Sequence, residues 1–225
     1  DDTPILFLVG IGASAELYTL FLNQLRAYFP NAKCDTLVWW QQADGGMHAL
    51  EQALQNKKVL LIGHSAGGVV GMRAYQRWPE QVQGVVLLDS HQIHQISKLP
   101  SIPRMLDIML SADKQEIKSM VEQAYVPVVQ NDKQFYQAFT SLVHWVNTDF
   151  DHVANQVKTS APHLMLHIGF TDHNYKKLAA DAMTMEIELW GKYGIDIQCL
   201  PMDHFDLLDE QQAMMICNNI KKWYE

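Results

Sequence analysis

The chain has 225 residues, 48 % of them hydrophobic and 19 % charged, and a formal net charge of −8. At about 100–200 residues per domain that is one large domain or two small ones, with enough apolar material for a core and too much for intrinsic disorder. An acidic chain with no Lys/Arg cluster argues against a nucleic-acid partner, and no apolar run reaches the roughly 18–20 residues of a membrane span.

Ile5-Leu6-Phe7-Leu8-Val9 reads as a buried strand that ends at Gly10. Over residues 15–29, Leu17, Leu20, Phe21, Leu25 and Tyr28 fall near one helical face, and Pro30-Asn31 stops that helix. Leu37-Val38-Trp39-Trp40 reads as a second strand and residues 47–55 as a second helix. Val59-Leu60-Leu61-Ile62 is a third strand, followed by a helical stretch over 66–77 that stops before Pro79. Val85-Val86-Leu87-Leu88 is the fourth strand.

From 91 to 160 the pattern changes. No strand run appears, Pro100, Pro103 and Pro127 interrupt the chain, and helical stretches run over 117–124 and 135–146. Alternation resumes with Leu164-Met165-Leu166-His167-Ile168, a helix at about 175–190, a strand at 195–200 and a last helix at about 210–223. Strands alternating with helices predict an α/β domain, with a mostly parallel sheet covered on both faces. The helices of 91–160 connect no strands of their own, so they are expected as an insertion over the carboxyl edge of the sheet. Ligands bind at that edge in open α/β sheets.

One motif carries most of the chemistry. Gly63-His64-Ser65-Ala66-Gly67 fits G-x-S-x-G, directly after a strand and directly before a helix. That placement is what a nucleophile elbow requires. The tight turn strains the serine, demands small neighbours and pushes the hydroxyl clear of the sheet. An ordinary glycine-rich turn is the alternative for the same residues. A serine hydroxyl needs a base to take its proton, and in such folds a late histidine supplies it. His204 is the candidate, because it follows the last strand and Pro201 and precedes a helix. His64 sits inside the elbow, where packing is the expected role. Two acids stand at carboxyl ends of strands, Asp89 after Leu88 and Asp172 after the strand at Ile168. Either could hold the imidazole tautomer. Asp203 and Asp206 are too close to His204 in sequence to reach its ring comfortably. An oxyanion hole needs two backbone N–H groups. Ala66, after the nucleophile, is one candidate, and Ile11 in the loop Gly10-Ile11-Gly12-Ala13 is the other.

With these residues in place, the chain resembles the α/β-hydrolase family. More narrowly, it resembles the thioesterase domains that end nonribosomal peptide synthetases and polyketide synthases. The likeness is carried by Leu6–Leu17 (LFLVGIGASAEL), Gly63–Gly68 (GHSAGG), Val85–Ser90 (VVLLDS) and Asp203–Leu208 (DHFDLL). It covers most of the chain and is weakest in the insertion. The usual His-Gly or Pro-x-Gly before the oxyanion loop is replaced by Val9-Gly10. The resemblance implies a triad of Ser65, Asp89 and His204, an oxyanion hole of Ile11 and Ala66, and a helical lid at about 91–160. In stand-alone editing thioesterases and many other family members the acid follows the next strand, which would carry over to Asp172.

The implied activity is a serine thioesterase. It would release an acyl, peptidyl or polyketide chain from the phosphopantetheine thioester of a carrier protein through an acyl-serine, by hydrolysis or cyclisation. No directly bound cofactor is implied, and the expected partner is a carrier-protein domain in cis or in trans. Trp145 and the insertion's methionines would shape an acyl pocket, although for most of them packing the lid on the sheet is the default reading. Competing readings are a carboxylesterase or lipase acting on small esters, and a non-catalytic α/β-hydrolase used as a binding module. His163, His167 and His173 could be imagined as a metal cluster, but no acidic cluster supports them and no metal is expected. His91, His94, His144 and His152 read as surface or pocket-lining residues. Cys34, Cys199 and Cys217 are odd in number and irregularly spaced, which argues against a disulfide framework and suits a cytoplasmic location. A start at Asp1 rather than Met suits a processed chain or an excised domain.

Overall fold

Of the five expected strands that are almost wholly apolar, four supply the interior of a six-stranded sheet of order β2-β1-β3-β4-β5-β6. The computed structural model describes residues 2–90, 101–110, 113–160, 165–170, 190–191 and 194–225. The strands are β1 (Ile5–Leu8), β2 (Cys34–Leu37), β3 (Val59–His64), β4 (Val82–Leu88), β5 (Met165–Phe170) and β6 (Asp196–Leu200). Every neighbouring pair is parallel. Each residue of β1, β3 and β5 is buried, whereas β2 and β6, at the two edges, are only partly covered and carry polar residues. Continuous apolar runs in the middle and mixed sequences at the rim are what a sheet covered on both faces requires.

The helices are α1 (Thr19–Tyr28), α2 (Met47–Leu54), α3 (Ala66–Arg77), α4 (Ile102–Met109), α5 (Gln115–Gln130), α6 (Lys133–Ser160) and α7 (Glu210–Tyr224). From β1 the chain crosses through α1 to β2 on one side, then returns past β1 to β3 and moves the other way through α3 to β4. Right-handed crossovers in opposite directions put α1 and α3 on opposite faces. Helix α1 packs against α7, and α3 packs on β3 and β4. The reversal opens a crevice where the carboxyl ends of β1 and β3 lie side by side, the usual ligand position in such sheets.

Between β4 and β5 the described residues are helical, in α4, α5 and α6. Helix α5 buries Val121, Tyr125 and Val128, an i, i+4, i+7 stripe. It runs past the expected stretch at 117–124, and Pro127 lies inside it. It stands on the exposed face, so the Gln123 carbonyl that loses its donor also faces water. Helix α6 is longer than the sequence pattern indicates, spanning 28 residues, and packs against α3. Its Trp145 is buried and donates its indole N–H to Gln76 Oε1 of α3 at 2.8 Å, so this residue joins the insertion to the sheet layer. Most of the helix expected at 175–190 lies outside the described residues.

The second strand corrects the sequence reading. It covers Cys34–Leu37, and Trp39-Trp40, expected to continue it, fold into a 3-10 turn over Trp39–Gln41. Both indoles are buried and donate to backbone carbonyls of the loop after β1, which draws the chain off the sheet edge. Strand β4 starts earlier than expected, at Val82, with an irregularity in its pairing between Val59 and Leu60. Among the described residues no helix is long and apolar enough to cross a membrane. Cys34, Cys199 and Cys217 are free thiols. Burial pushes the Cys217 thiol up to about 12.

Candidate active site

The site is assembled from four strand ends. Ser65 follows β3 with φ 54° and ψ −126°, a conformation that costs of order 1–3 kcal/mol for a residue with a side chain. The turn is held by Ser65 N–H donating to the Leu88 carbonyl at 2.8 Å and by Gly68 N–H donating to the Ser65 carbonyl at 3.1 Å. Glycines flank it for steric reasons. A Cβ on Gly63 would lie 2.3 Å from the Gly67 carbonyl carbon and the Gly68 nitrogen, and one on Gly67 would lie 2.3 Å from the Leu8 carbonyl oxygen. Helix α3 and β1 can close on the serine only because neither side chain exists.

Asp89 continues β4 past Leu88. Its N–H donates to the Ile168 carbonyl at 2.8 Å, and its φ of 47° turns the side chain away from the regular strand path. One carboxylate oxygen, Oδ1, accepts from Phe170 N–H at 3.1 Å. The other, Oδ2, meets His204 Nδ1 at 2.5 Å. Both residues are almost wholly buried. The expected alternative acid, Asp172, lies outside the described residues, as do His91, His94, His163 and His173. Asp206 turns elsewhere. Asp206 Oδ2 accepts from Asp203 N–H at 2.9 Å and pairs with Lys114 Nζ of the insertion. A carboxylate at Nδ1 fixes the proton there and leaves Nε2 to carry the lone pair, the tautomer a general base needs.

The loop after β1 is the part sequence reasoning saw least clearly. Ala13 N–H donates to the Gly10 carbonyl at 3.1 Å, closing a tight turn with Gly12 at φ 80°. Three aromatic side chains bind three further carbonyls of the loop. Trp39 Nε1–H reaches the Val9 carbonyl at 2.7 Å, Trp40 Nε1–H the Ala13 carbonyl at 2.8 Å, and Tyr125 O–H of α5 the Ile11 carbonyl at 2.6 Å. Gly10 N–H donates to the Tyr18 hydroxyl at 3.0 Å. Among the described residues no acceptor faces the N–H groups of Ile11 and Gly12 in this turn, or that of Ala66 at the start of α3. Backbone N–H groups in a nearly closed site are donors in need of an acceptor. The two Trp residues read as strand in the sequence, and neither tyrosine gives a local signal.

His167, once imagined among metal ligands, is a buried residue of β5 whose ring packs on Trp190 at 4.9 Å between centroids. Among the described residues no three His, Cys, Asp or Glu side chains gather as a metal site. His144 and His152 are exposed.

Comparison with known proteins agrees with this architecture. A family model for the alpha/beta hydrolase fold matches residues 46–193. No curated protein sequence matches the chain. Among solved structures, a carboxylesterase of the ammonia-oxidizing Thaumarchaeon Nitrososphaera gargenis is similar over 99 % of this chain and 91 % of its own, with a TM-score of 0.69 and 12 % identity. The NocB thioesterase domain, solved as a covalent complex with a fluorophosphonate nocardicin G analog, is similar over 99 % of this chain and 95 % of its own, with a TM-score of 0.58 and 15 % identity. A lipase-esterase related protein from Clostridium acetobutylicum aligns over 99 % and 95 %, with a TM-score of 0.63 and 16 % identity. At such identities the likeness is one of fold.

Proposed function

The chain belongs to the α/β-hydrolase family, and from that premise we propose that it is a serine thioesterase releasing acyl chains from a carrier-protein phosphopantetheine arm. The observation that carries this reading is the contact between Asp89 and His204. It uses the acid at the end of β4, the position that the resemblance gives to synthase thioesterase domains. The NocB thioesterase domain among the structural neighbours supports the same direction.

In the proposed reaction Ser65 Oγ attacks the thioester carbonyl carbon and His204 Nε2 takes its proton. Asp89 holds the imidazolium that forms, through Nδ1–H. The carbonyl electrons move to oxygen, where the Ile11 and Ala66 N–H groups receive the charge. The C–S bond then breaks, the thiolate takes the proton from His204, and an acyl ester remains on Ser65. Water, or a hydroxyl or amine of the acyl chain, attacks next with His204 again as base. The products are a free acid or a ring, and Ser65 is restored.

A second reading, a carboxylesterase acting on small oxygen esters, is favoured by the other two structural neighbours. Both readings share the acyl-serine and differ in the leaving group. A panel of acyl-pantetheine thioesters and the matching oxygen esters, with products identified by mass, separates them. The thioesterase reading expects kcat/KM for the best thioester to exceed that of its oxygen ester by more than tenfold. Equal or reversed values would select the esterase.

A further inference from the structure

His64, inside the elbow, has no part in the steps above, yet both of its ring nitrogens are hydrogen-bonded. Nδ1 lies 2.8 Å from the Tyr18 hydroxyl, and Nε2 lies 2.8 Å from the backbone carbonyl of His204. His64 and Tyr18 are both fully buried. The protons on this chain can be assigned by elimination. A carbonyl only accepts, so His64 Nε2 must carry the proton it shares with His204. Gly10 N–H only donates, so the Tyr18 oxygen accepts from it at 3.0 Å. Burial pushes the Tyr18 hydroxyl well above its ordinary range, so it keeps its proton and requires an acceptor. His64 Nδ1 is that acceptor, and the ring is neutral with its proton on Nε2.

We infer that Tyr18 and His64 are positioning residues. Their bonds run without a break from Gly10 N–H, through the tyrosine hydroxyl and the imidazole, to the His204 carbonyl. This chain ties three loops into one register: the oxyanion turn after β1, the elbow after β3 and the histidine loop after β6. The inference rests on the reading of Ser65 and His204 as the reacting pair, and it holds for ester or thioester alike.

Sterics and packing support it independently. A Cβ on Gly10 would lie 2.9 Å from the Tyr18 hydroxyl and 3.3 Å from His64 Nδ1, so the chain forms only because position 10 lacks a side chain. The His64 ring lies against that of His204, 4.5 Å between centroids at 38°, and Phe205 abuts both rings, at 5.4 Å and 5.0 Å. The arrangement also excludes His64 as an alternative base. Its one lone pair is committed to Tyr18, and its one proton to the backbone of the residue that does the proton transfer. Fixing the His204 carbonyl constrains the backbone from which the ring swings, while Asp89 constrains the far end of the ring. A base held at both ends can meet the serine in one geometry, and small misplacements at such a site are costly.

Two near-isosteres separate positioning from packing. Asn at position 64 puts its amide near the place of Nδ1, so it can still meet Tyr18 but cannot reach the His204 carbonyl. Gln puts its amide NH₂ near the place of Nε2 and can donate to that carbonyl. Each substitution loses one bond, but Asn is also a methylene shorter, so a packing role lowers melting temperature and kcat together in His64→Asn, whereas a positioning role lowers kcat beyond what any loss of stability accounts for. The positioning role predicts that His64→Asn lowers kcat for a soluble p-nitrophenyl ester about tenfold or more at nearly constant KM. The rate of Ser65 labelling by a small fluorophosphonate should fall in parallel. His64→Gln should restore both to within about threefold of the parent. Equal kcat in the two variants would overturn the inference. Should His64→Asn fail to fold, Tyr18→Phe keeps the ring and removes only the hydroxyl. About tenfold lower kcat then supports the relay, and an unchanged kcat overturns it. In the parent labelled with 15N-histidine, the resonances that His64→Gln removes should show the Nε2–H tautomer, and Nδ1–H would overturn the assignment. A parent that neither reacts with the fluorophosphonate nor turns over ester would instead bring down the reading of Ser65 on which this rests.

Discussion

At the carboxyl edge of the sheet the proposed reacting groups are fixed by the backbone itself, whereas the helical insertion reaches the same place only through side chains. Ser65 and Asp89 both leave their strands at positive φ, and both have their N–H groups bonded to a carbonyl of the neighbouring strand, Leu88 and Ile168. In α4–α6 nothing comparable exists among the described residues. The insertion contributes the Tyr125 hydroxyl, the Tyr125 and Phe135 rings against Gly12, the Lys114 ammonium on Asp206 and the Trp145 bond to α3. The contrast assigns the labour. Strand ends set positions to fractions of an ångström, because moving them means breaking sheet hydrogen bonds. Helices packed through side chains can shift or change sequence while the strand ends stay in place, which suits a region that shapes a substrate pocket.

The sharpest test of that division is at Ser65. Ser65→Ala removes the proposed nucleophile without touching the backbone bonds that hold the elbow. Turnover should fall by about 10⁶ in kcat, as for the same role in a related triad, with little change in melting temperature. Residual activity within tenfold of the parent would place the chemistry elsewhere, and the insertion would be the first place to look.

Next comes the acid. Asp89→Asn keeps an oxygen for Phe170 N–H but offers His204 Nδ1 an uncharged partner, and can trap the wrong tautomer. A loss of about 10⁴ in kcat is expected, by analogy with a serine protease. Asp172→Asn should stay within about tenfold of the parent. Kinetics of the two variants side by side check the ranking. The reverse order would move the acid past β5 and the proposed function toward stand-alone thioesterases and ordinary esterases.

How much of this could be read from residues alone follows the same division. The elbow was legible because its determinants are local: an apolar strand, then small residues around Ser65, then a helix. His204 and Asp89 were legible as polar residues just past apolar runs, and it was the resemblance that favoured Asp89 over Asp172, since both follow strands. Trp39 and Trp40 were misread as strand because an apolar run records burial and not the partner of an indole N–H. Tyr18 and Tyr125 gave no signal and His64 was read only as packing, because their roles depend on bonds to residues 8 to 140 positions away. Helix α5 outruns the expected stretch at 117–124, with Pro127 inside it, for a further reason. A breaker is tolerated on a helix face that water can satisfy, and exposure is a property of the packed molecule.

The smallest expected effect tests the bond that joins the two regions at the turn after β1. Tyr125 O–H of α5 donates to the Ile11 carbonyl at 2.6 Å, and its burial holds the hydroxyl well above its ordinary range, so it stays a donor at any working pH. The Ile11 carbonyl and the Gly12 N–H belong to one peptide plane, and the Ile11 N–H proposed as an oxyanion donor lies just before it. Orienting that plane therefore orients the turn. Tyr125→Phe keeps the ring over Gly12 and removes only the donor, leaving a buried carbonyl without its partner. The net cost should be about 1 kcal/mol in stability, read by chemical denaturation. If the insertion does no more than roof the pocket, kcat stays at the parent value and only KM moves. If instead its hydroxyl holds the oxyanion turn, the loss falls on kcat, by roughly tenfold for a bond of that size, with KM nearly unchanged. The second outcome is the one expected, because the bond ends on the turn itself and no other described side chain binds the Ile11 carbonyl. It would also mean that the sheet edge and the insertion are energetically coupled at one peptide. Substitutions elsewhere in α5 that displace Tyr125 should then reproduce the kcat loss in proportion to the displacement.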